Sequence, residues 1–163
     1  MKLKKSMVAI ALLSGVGMVG CTNKEEVSQE SELKKNIVVE DIKKGLTESG
    51  LLADASMEMS AKEHWIFDSV KDSIEDGFVS QAMINVRLQD VFFVKTNNMD
   101  AVEQVILKYK EESLRSFGDG YGGEDNIKAV ANSKLVKKDG YVYFIATPNA
   151  DEVEKKLLEL IEA

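Results

Sequence analysis

Apolar side chains recur along this chain at two spacings, one typical of helices and one typical of strands. Between Ile37 and Leu52 they return every three or four positions with charged residues between them, which predicts an amphipathic helix that stops near Gly50. The same spacing predicts a long helix from Met99 to near Gly118 and a last helix that begins after Asn149. These helices flank the segments in which the spacing changes.

A fourth helix is predicted from a capping signal. Ser60-Ala61-Lys62-Glu63 has the form of a capping box, with a serine at the cap and a glutamate three residues later. We expect a short helix that ends at Gly77. Its apolar face would consist of Ile66, Val70 and Ile74.

Strands are predicted where β-branched and aromatic residues concentrate, over Phe78–Val86 and Leu88–Thr96. The run Val91-Phe92-Phe93-Val94 has no polar interruption, which is typical of a central strand buried on both sides. Asp139-Gly140 predicts a two-residue hairpin turn before Tyr141. The order α-α-β-β-α-β-β-α therefore predicts an α+β fold, with a four-stranded antiparallel sheet that carries helices on one face.

The amino terminus has the pattern of a bacterial lipoprotein signal. Three lysines precede the uncharged stretch Ser6–Gly20, which as a helix would span roughly 22 Å, short of the ~30 Å hydrocarbon core. Met18-Val19-Gly20 then stands directly before Cys21, like the recognition site of the lipoprotein signal peptidase. An ordinary secretory signal with a chance cysteine, or an uncleaved anchor, are the alternatives.

Lipidation of Cys21 would fix the location of the protein. Its thiolate would form a thioether to a diacylglyceryl group, and two acyl chains, of the palmitate kind, hold a protein stably on a membrane. Cys21 is the sole cysteine, so no intramolecular disulfide can form. We expect a signal peptide over residues 1–20, a polar lipidated tether over 21–36 and one α+β domain over 37–163, at the extracytoplasmic face of the cell membrane.

The charge balance excludes one class of partner. The formal charge is −7, and cleavage before Cys21 would remove three lysines and leave −10. Nucleic-acid binding requires a basic face, so we predict no nucleic-acid partner.

The glycines Gly118, Gly120 and Gly123 match the spacing GxGxxG of dinucleotide sites. That fingerprint needs a strand before it and a helix after it, whereas here we expect a helix before and a strand after. We interpret the segment as a helix end followed by a loop. Acidic residues of this loop, such as Asp119 and Asp125, raise calcium as an alternative, although their spacing is not that of an EF-hand.

Other residue patterns supply no catalytic group. His64 is the only histidine, and one histidine with a lipidated cysteine cannot form a zinc site. No serine nucleophile motif accompanies it. We therefore predict no catalytic residue, no cofactor and no metal. Tyr141 and Tyr143 lie on the same side of their strand, and if helices cover the opposite side they would form an open binding face for a peptide or a glycan. The alternative is that they pack in the core.

The strand Asp90–Lys95, the helix Met99–Phe117 and the hairpin Lys138–Phe144 resemble a family of small Gram-positive lipoproteins that carry a domain of unknown function. The resemblance covers about two-thirds of the chain, from Met57 onward. It implies a lipoprotein of unknown activity and supplies no catalytic residue.

Together these features predict a lipid-anchored extracytoplasmic binding or accessory protein without enzymatic activity. Its partner, besides the membrane, would be a protein or a cell-wall component. A small extracellular hydrolase that uses two carboxylates in one cleft is the alternative, since 28 acidic residues leave such pairs open. A solute receptor is disfavoured because such receptors usually need two lobes.

Overall fold

Within residues 32–53 and 56–163, which the computed structural model describes, the α-helices and strands follow the order α-β-β-β-α-α-α-β-β-α. The α-helices are α1 Val39–Glu48, α2 Met99–Ser113, α3 Arg115–Gly118, α4 Glu124–Ala131 and α5 Ala150–Ile161. The strands are β1 Ser56–Ser60, β2 Ile74–Ala82, β3 Asp90–Thr96, β4 Lys134–Lys138 and β5 Tyr141–Ala146. Three short 3₁₀ turns, Ala61–Glu63, Trp65–Phe67 and Lys71–Ser73, connect β1 to β2.

The strands form one antiparallel sheet in the order β1-β2-β3-β5-β4. In the middle of the sheet Phe93 pairs with Phe78 on one side and with Tyr143 on the other. The expected α+β class and antiparallel pairing are confirmed, but the described residues form five strands, not four. The additional strand is β1, Ser-Met-Glu-Met-Ser, which is largely exposed and has none of the β-branched or aromatic residues that indicated the other strands.

Helices cover both faces of the sheet, and the expectation of helices on one face was wrong. Alternate residues of β3 point to opposite sides: Phe92 packs with α2 and the 3₁₀ turns, and Phe93 packs with α1 and α5. Both side chains are fully buried. The uninterrupted apolar run in β3 explains this arrangement, because a strand that is apolar on two faces needs a layer of helices over each face.

Strand β4 is an edge of the sheet, and its lysines are held by acids on neighbouring elements. Lys134 pairs with Asp151 of α5 at 2.7 Å, and Lys137 pairs with Glu103 of α2 at 2.8 Å. Lys138 pairs with Glu162 at 2.8 Å. The edge strand is therefore tied to helices on both faces.

The capping box at Ser60 does not open an α-helix. The Ser60 hydroxyl accepts a hydrogen bond from the Lys62 N–H at 3.3 Å, but only a 3₁₀ turn follows, and two further 3₁₀ turns lead into β2. Ser60 is also the last residue of β1, paired with Phe78, and this pairing limits how the chain can turn. Gly77 does not end a helix but lies inside β2.

The last residues of the predicted tether are attached to the domain. Leu33 forms a β-bridge with Glu162, and the N–H of Lys34 donates to the carbonyl of Ile161 at 2.8 Å. Leu33 and Lys34, which the sequence assigned to the tether, are therefore packed onto the carboxyl end of α5. No helix in the described ranges is long and apolar enough to cross a membrane.

Candidate functional site

Four polar side chains from four different elements form a hydrogen-bonded chain inside the protein. His64, between the first two 3₁₀ turns, contacts the amide of Gln81 on β2, with 2.8 Å between Nε2 and Oε1. The Gln81 amide donates to the phenolic oxygen of Tyr109 on α2 at 3.0 Å. Tyr109 donates in turn to the carboxylate of Asp90 at the start of β3. We call these residues the polar chain.

The contacts of the polar chain fix where its hydrogens lie. Gln81 uses its NH₂ group toward Tyr109, so the oxygen of the amide faces His64 and can only accept. His64 therefore carries its hydrogen on Nε2, and Nδ1 is the unprotonated nitrogen. Nδ1 is buried and has no hydrogen-bond partner in the described part of the protein.

Burial sets the ionisation of the polar chain. It raises the pKa of Asp90 to about 6, although hydrogen bonds from Tyr109 and Gln81 act in the opposite direction. Burial, together with the charge of Asp90, raises the pKa of Tyr109. Burial lowers the pKa of His64, so the imidazole is neutral at pH 7. At pH 7 Asp90 is therefore the ionised residue among the four of the polar chain.

Tyr109 also forms the floor of a surface groove between α2 and the second 3₁₀ turn. The groove has a volume of about 190 Å³. Its lining comes from the 3₁₀ segment and from one face of α2: Trp65, Ile66, Ser69, Val105, Lys108, Tyr109, Glu112 and Ser113. We call it the Trp65 groove.

Trp65 is the one tryptophan of the chain, and 62% of its surface is exposed. Its ring packs against that of Tyr109 with centroids 6.0 Å apart and an angle of 67° between the planes. The neighbours Ile66 and Phe67 are buried and fix the 3₁₀ turn on the core. The indole is thus held at a fixed position while much of its surface remains in solvent.

Two opposite charges stand on the α2 side of the Trp65 groove. Lys108 and Glu112 are one helical turn apart, and neither forms an ion pair with any other described residue. The hydroxyls of Ser69 and Ser113 add neutral donors and acceptors. The groove therefore combines apolar surface with hydrogen-bonding groups and has no net charge.

The family model of a domain of unknown function, DUF4358, matches residues 54–147, more than half of the chain. This chain belongs to the DUF4358 family. The match confirms the expected domain of unknown function, while the lipoprotein character remains a prediction. No curated protein and no solved structure matches the chain.

The matched DUF4358 segment contains the polar chain and every residue of the Trp65 groove. It excludes α1 and α5, which cover the other face of the sheet. Cys21 and the residues Met18, Val19 and Gly20 before it lie outside the described residues, and so does most of the predicted tether.

The predicted tyrosine face of the DUF4358 protein is not open. Tyr141 and Tyr143 do share one side of β5, but that side lies under α1 and α5, and the two residues are only 8% and 3% exposed. The Tyr143 hydroxyl donates to Glu154 of α5 at 2.9 Å. The expectation of an open face failed because it required helices on one side of the sheet only.

A helix, α4, follows the glycines of the 118–123 segment, where we expected a strand. The segment is still no dinucleotide site, because α3 rather than a strand precedes it and two acids, Glu124 and Asp125, occupy the first turn of α4. Its observed role is structural. Asn126 of α4 donates to the carbonyls of Val86 and Tyr121 at 2.9 and 2.8 Å and accepts from the Leu88 N–H at 2.9 Å.

The described residues hold no group of three or more His, Cys, Asp or Glu side chains in position to bind a metal ion. Within the Trp65 groove Glu112 is the one carboxylate of the lining. A pair of carboxylates, which the hydrolase alternative requires, is therefore not found in this groove.

Sequence reasoning named His64 but assigned it no role, and it did not connect Gln81, Asp90 and Tyr109 with that histidine. One signal was available. Asp90 directly precedes the buried run of β3, and a carboxylate at such a position needs a hydrogen-bond donor from a neighbouring element.

Proposed function

We propose that this DUF4358 protein is a lipid-anchored, extracytoplasmic binding protein that holds its ligand in the Trp65 groove. The observation that carries the proposal is the position of Trp65, which is mostly exposed yet fixed against a buried floor. Tryptophan contributes a large contact area with few rotatable bonds, so it is enriched where proteins bind other molecules.

The polar chain beneath the groove supports the same proposal. A binding site gains affinity when its side chains are ordered before the ligand arrives. The phenol of Tyr109 donates to Asp90 and accepts from Gln81, so its ring is held in place from below. The floor therefore needs no rearrangement when a ligand is bound.

The membrane location rests on the sequence Met18-Val19-Gly20-Cys21 and the basic and apolar segments before it. A thioether-linked diacylglyceryl group at Cys21 would keep the domain at the outer face of the membrane. The partners reached from there are exported proteins, wall components and small solutes.

Fractionation of cells that express Cys21→Ser tests the anchor, with the adjacent conservative variant Thr22→Ser as control. We expect Thr22→Ser to remain in the membrane fraction, and Cys21→Ser to be released or to accumulate as an unprocessed precursor. A Cys21→Ser protein of normal mobility that stays fully with the membranes would show that the anchor is not a lipid on Cys21.

Ligand-induced thermal shifts test the binding function. The panel would contain peptides, wall fragments and small solutes, and the proteins would be wild type, Trp65→Ala and Tyr121→Ala. Tyr121 is half-exposed and lies away from the groove, so its variant controls for the loss of an exposed aromatic ring. We expect a stabilising compound to lose its effect in Trp65→Ala only. Equal shifts in all three proteins would place binding outside the groove.

A further inference from the structure

The Trp65 groove has features that narrow the class of its ligand. Its lining contains apolar surface from the indole of Trp65 and the aliphatic side chains of Ile66 and Val105. The same lining contains hydroxyl, ammonium and carboxylate groups, which together offer both donors and acceptors. A matching ligand must have an apolar face on one side and several hydrogen-bonding groups around its edge.

The charges of the groove favour a neutral ligand. Lys108 and Glu112 lie one turn apart on α2. An anion attracted by the ammonium of Lys108 would therefore be repelled by the carboxylate of Glu112, and a cation attracted by that carboxylate would be repelled by the ammonium. A neutral ligand with hydroxyl groups can instead donate to Glu112 and accept from Lys108 at once. Neither side chain has another ion-pair partner among the described residues that would compete.

The dimensions of the groove limit the bound part of the ligand. Its volume of about 190 Å³ is below the ~300 Å³ at which sites for drug-sized molecules usually begin. It suits one six-membered ring. The groove is open to solvent, so a longer molecule could place one ring in it and continue outside.

We propose that the Trp65 groove binds one neutral sugar ring of a glycan, with the carbon-bound hydrogens of the ring against the indole and its hydroxyls toward the polar groups of the lining. The negative face of an aromatic ring attracts the slightly positive hydrogens of a sugar. Lys108, Glu112, Ser69 and Ser113 then exchange hydrogen bonds with the hydroxyls. This inference rests on the proposed binding function and names its ligand class.

Tryptophan fluorescence offers a direct test, because Trp65 is the only tryptophan of the chain. The full-length protein would be titrated with chitotetraose and cellotetraose as neutral glycans, and with phenylalanyl-glycine as a zwitterionic dipeptide that carries an aromatic ring. We expect a saturable change in Trp65 emission with at least one glycan and none with the dipeptide. A response to the dipeptide alone would overturn the glycan inference while leaving a binding function in place, and a response to none of the three would also overturn it.

Calorimetric titrations of variants would separate stacking from hydrogen bonding. Trp65→Ala should weaken glycan binding by about tenfold or more, and Trp65→Phe should weaken it less because an aromatic face remains. Tyr121→Ala should bind like wild type. Equal affinities in wild type and Trp65→Ala would contradict the proposal.

The salt dependence supplies a second readout. A neutral ligand forms no ion pair that salt could screen. Its affinity should therefore change less than about twofold when added salt shortens the Debye length from ~30 Å to ~3 Å. Glu112→Gln should keep most of the affinity, because the amide oxygen still accepts a hydrogen bond. A steep loss of affinity with salt, or complete loss in Glu112→Gln, would show that the groove recognises an ion instead.

Discussion

Tyr109 donates its phenolic hydrogen to the carboxylate of Asp90, and this bond joins the first residue of β3 to the helix that covers it. Asp90 is 4% exposed, so few groups other than Tyr109 can solvate its charge. The same phenol forms the floor of the Trp65 groove. One side chain thus links the start of β3 to the floor of the groove.

Removal of that hydroxyl should destabilise the protein. Tyr109→Phe removes the phenolic donor of the buried carboxylate and the acceptor of the Gln81 amide, and we expect a loss of about 2–3 kcal/mol in the free energy of unfolding at pH 7. Tyr143→Phe is the matched control, because its hydroxyl bonds to the partly exposed Glu154 and should cost about 1 kcal/mol. Urea unfolding measures both free energies. Equal losses would mean that the Tyr109 hydroxyl contributes no more to stability than the hydroxyl of Tyr143.

The pH dependence of stability should change in Asp90→Asn. The pKa of Asp90 is raised from 3.8 to about 6 in the folded protein, so between these values the folded state binds more protons than the unfolded state. Stability from this group is full below pH ~4 and decreases as the pH rises toward ~6, by about 3 kcal/mol in total. The asparagine variant lacks this decrease.

Unfolding free energies of wild type and Asp90→Asn at several pH values would measure the difference directly. The pKa of His64 is lowered, so its contribution runs the other way and is lost as the pH falls below its ordinary 6.5. His64 is present in both proteins, so its effect largely cancels in the difference. A constant difference between pH 4 and pH 7 would contradict the raised pKa.

His64 should exist as a single neutral tautomer. Its Nε2 faces the oxygen of Gln81, so the hydrogen lies on Nε2 and Nδ1 is bare. Long-range nitrogen–proton NMR spectra at pH 7 distinguish the two nitrogens by their chemical shifts. Gln81→Leu removes the acceptor, and a mixture of tautomers is expected in that variant. Observation of the hydrogen on Nδ1 in the wild type would reverse the assigned direction of the whole polar chain.

Gly122 should not tolerate a side chain. It has a positive φ of 79°, and a Cβ atom there would collide with the Asn126 amide and the carbonyl of Val86. Gly50 has a similar φ of 70° but no atom within 4 Å of the Cβ position, so it is a matched control for backbone strain alone. We expect Gly50→Ala to cost about 1 kcal/mol and Gly122→Ala at least ~3 kcal/mol, measured by thermal unfolding. Similar costs would show that the Asn126 amide and the Val86 carbonyl can move aside for a side chain at position 122 with little loss of stability.

Features of the fold that depend on local sequence were predicted well. The hairpin at Asp139-Gly140 is confirmed, with positive φ of 47° and 86° at its two residues, because the turn requires this and few residue pairs permit it. The buried strand β3 is confirmed for a similar reason. Four consecutive apolar residues point alternately to the two faces of a sheet, so both faces must be shielded from water.

Features that depend on distant contacts were not predicted. Trp65 and Tyr109 are far apart in sequence and meet only because α2 packs over β3 beside the 3₁₀ turns. Helix α4 was missed because the glycines before it indicated a loop and its eight residues are too few for a clear apolar stripe. The open tyrosine face was wrong because neither tyrosine indicates which helices cover it.

The lysines of β4 have a consequence for the behaviour of the protein at high local concentration. An unpaired edge strand can recruit the edge of another molecule and start aggregation. Here Lys134, Lys137 and Lys138 place three positive charges along five residues of β4. If the β4 edges of two molecules approached each other, the ion pairs of these lysines with α2, α5 and Glu162 would have to be desolvated or broken. The ion pairs that hold β4 in place thus also disfavour pairing between the β4 edges of two copies of this domain.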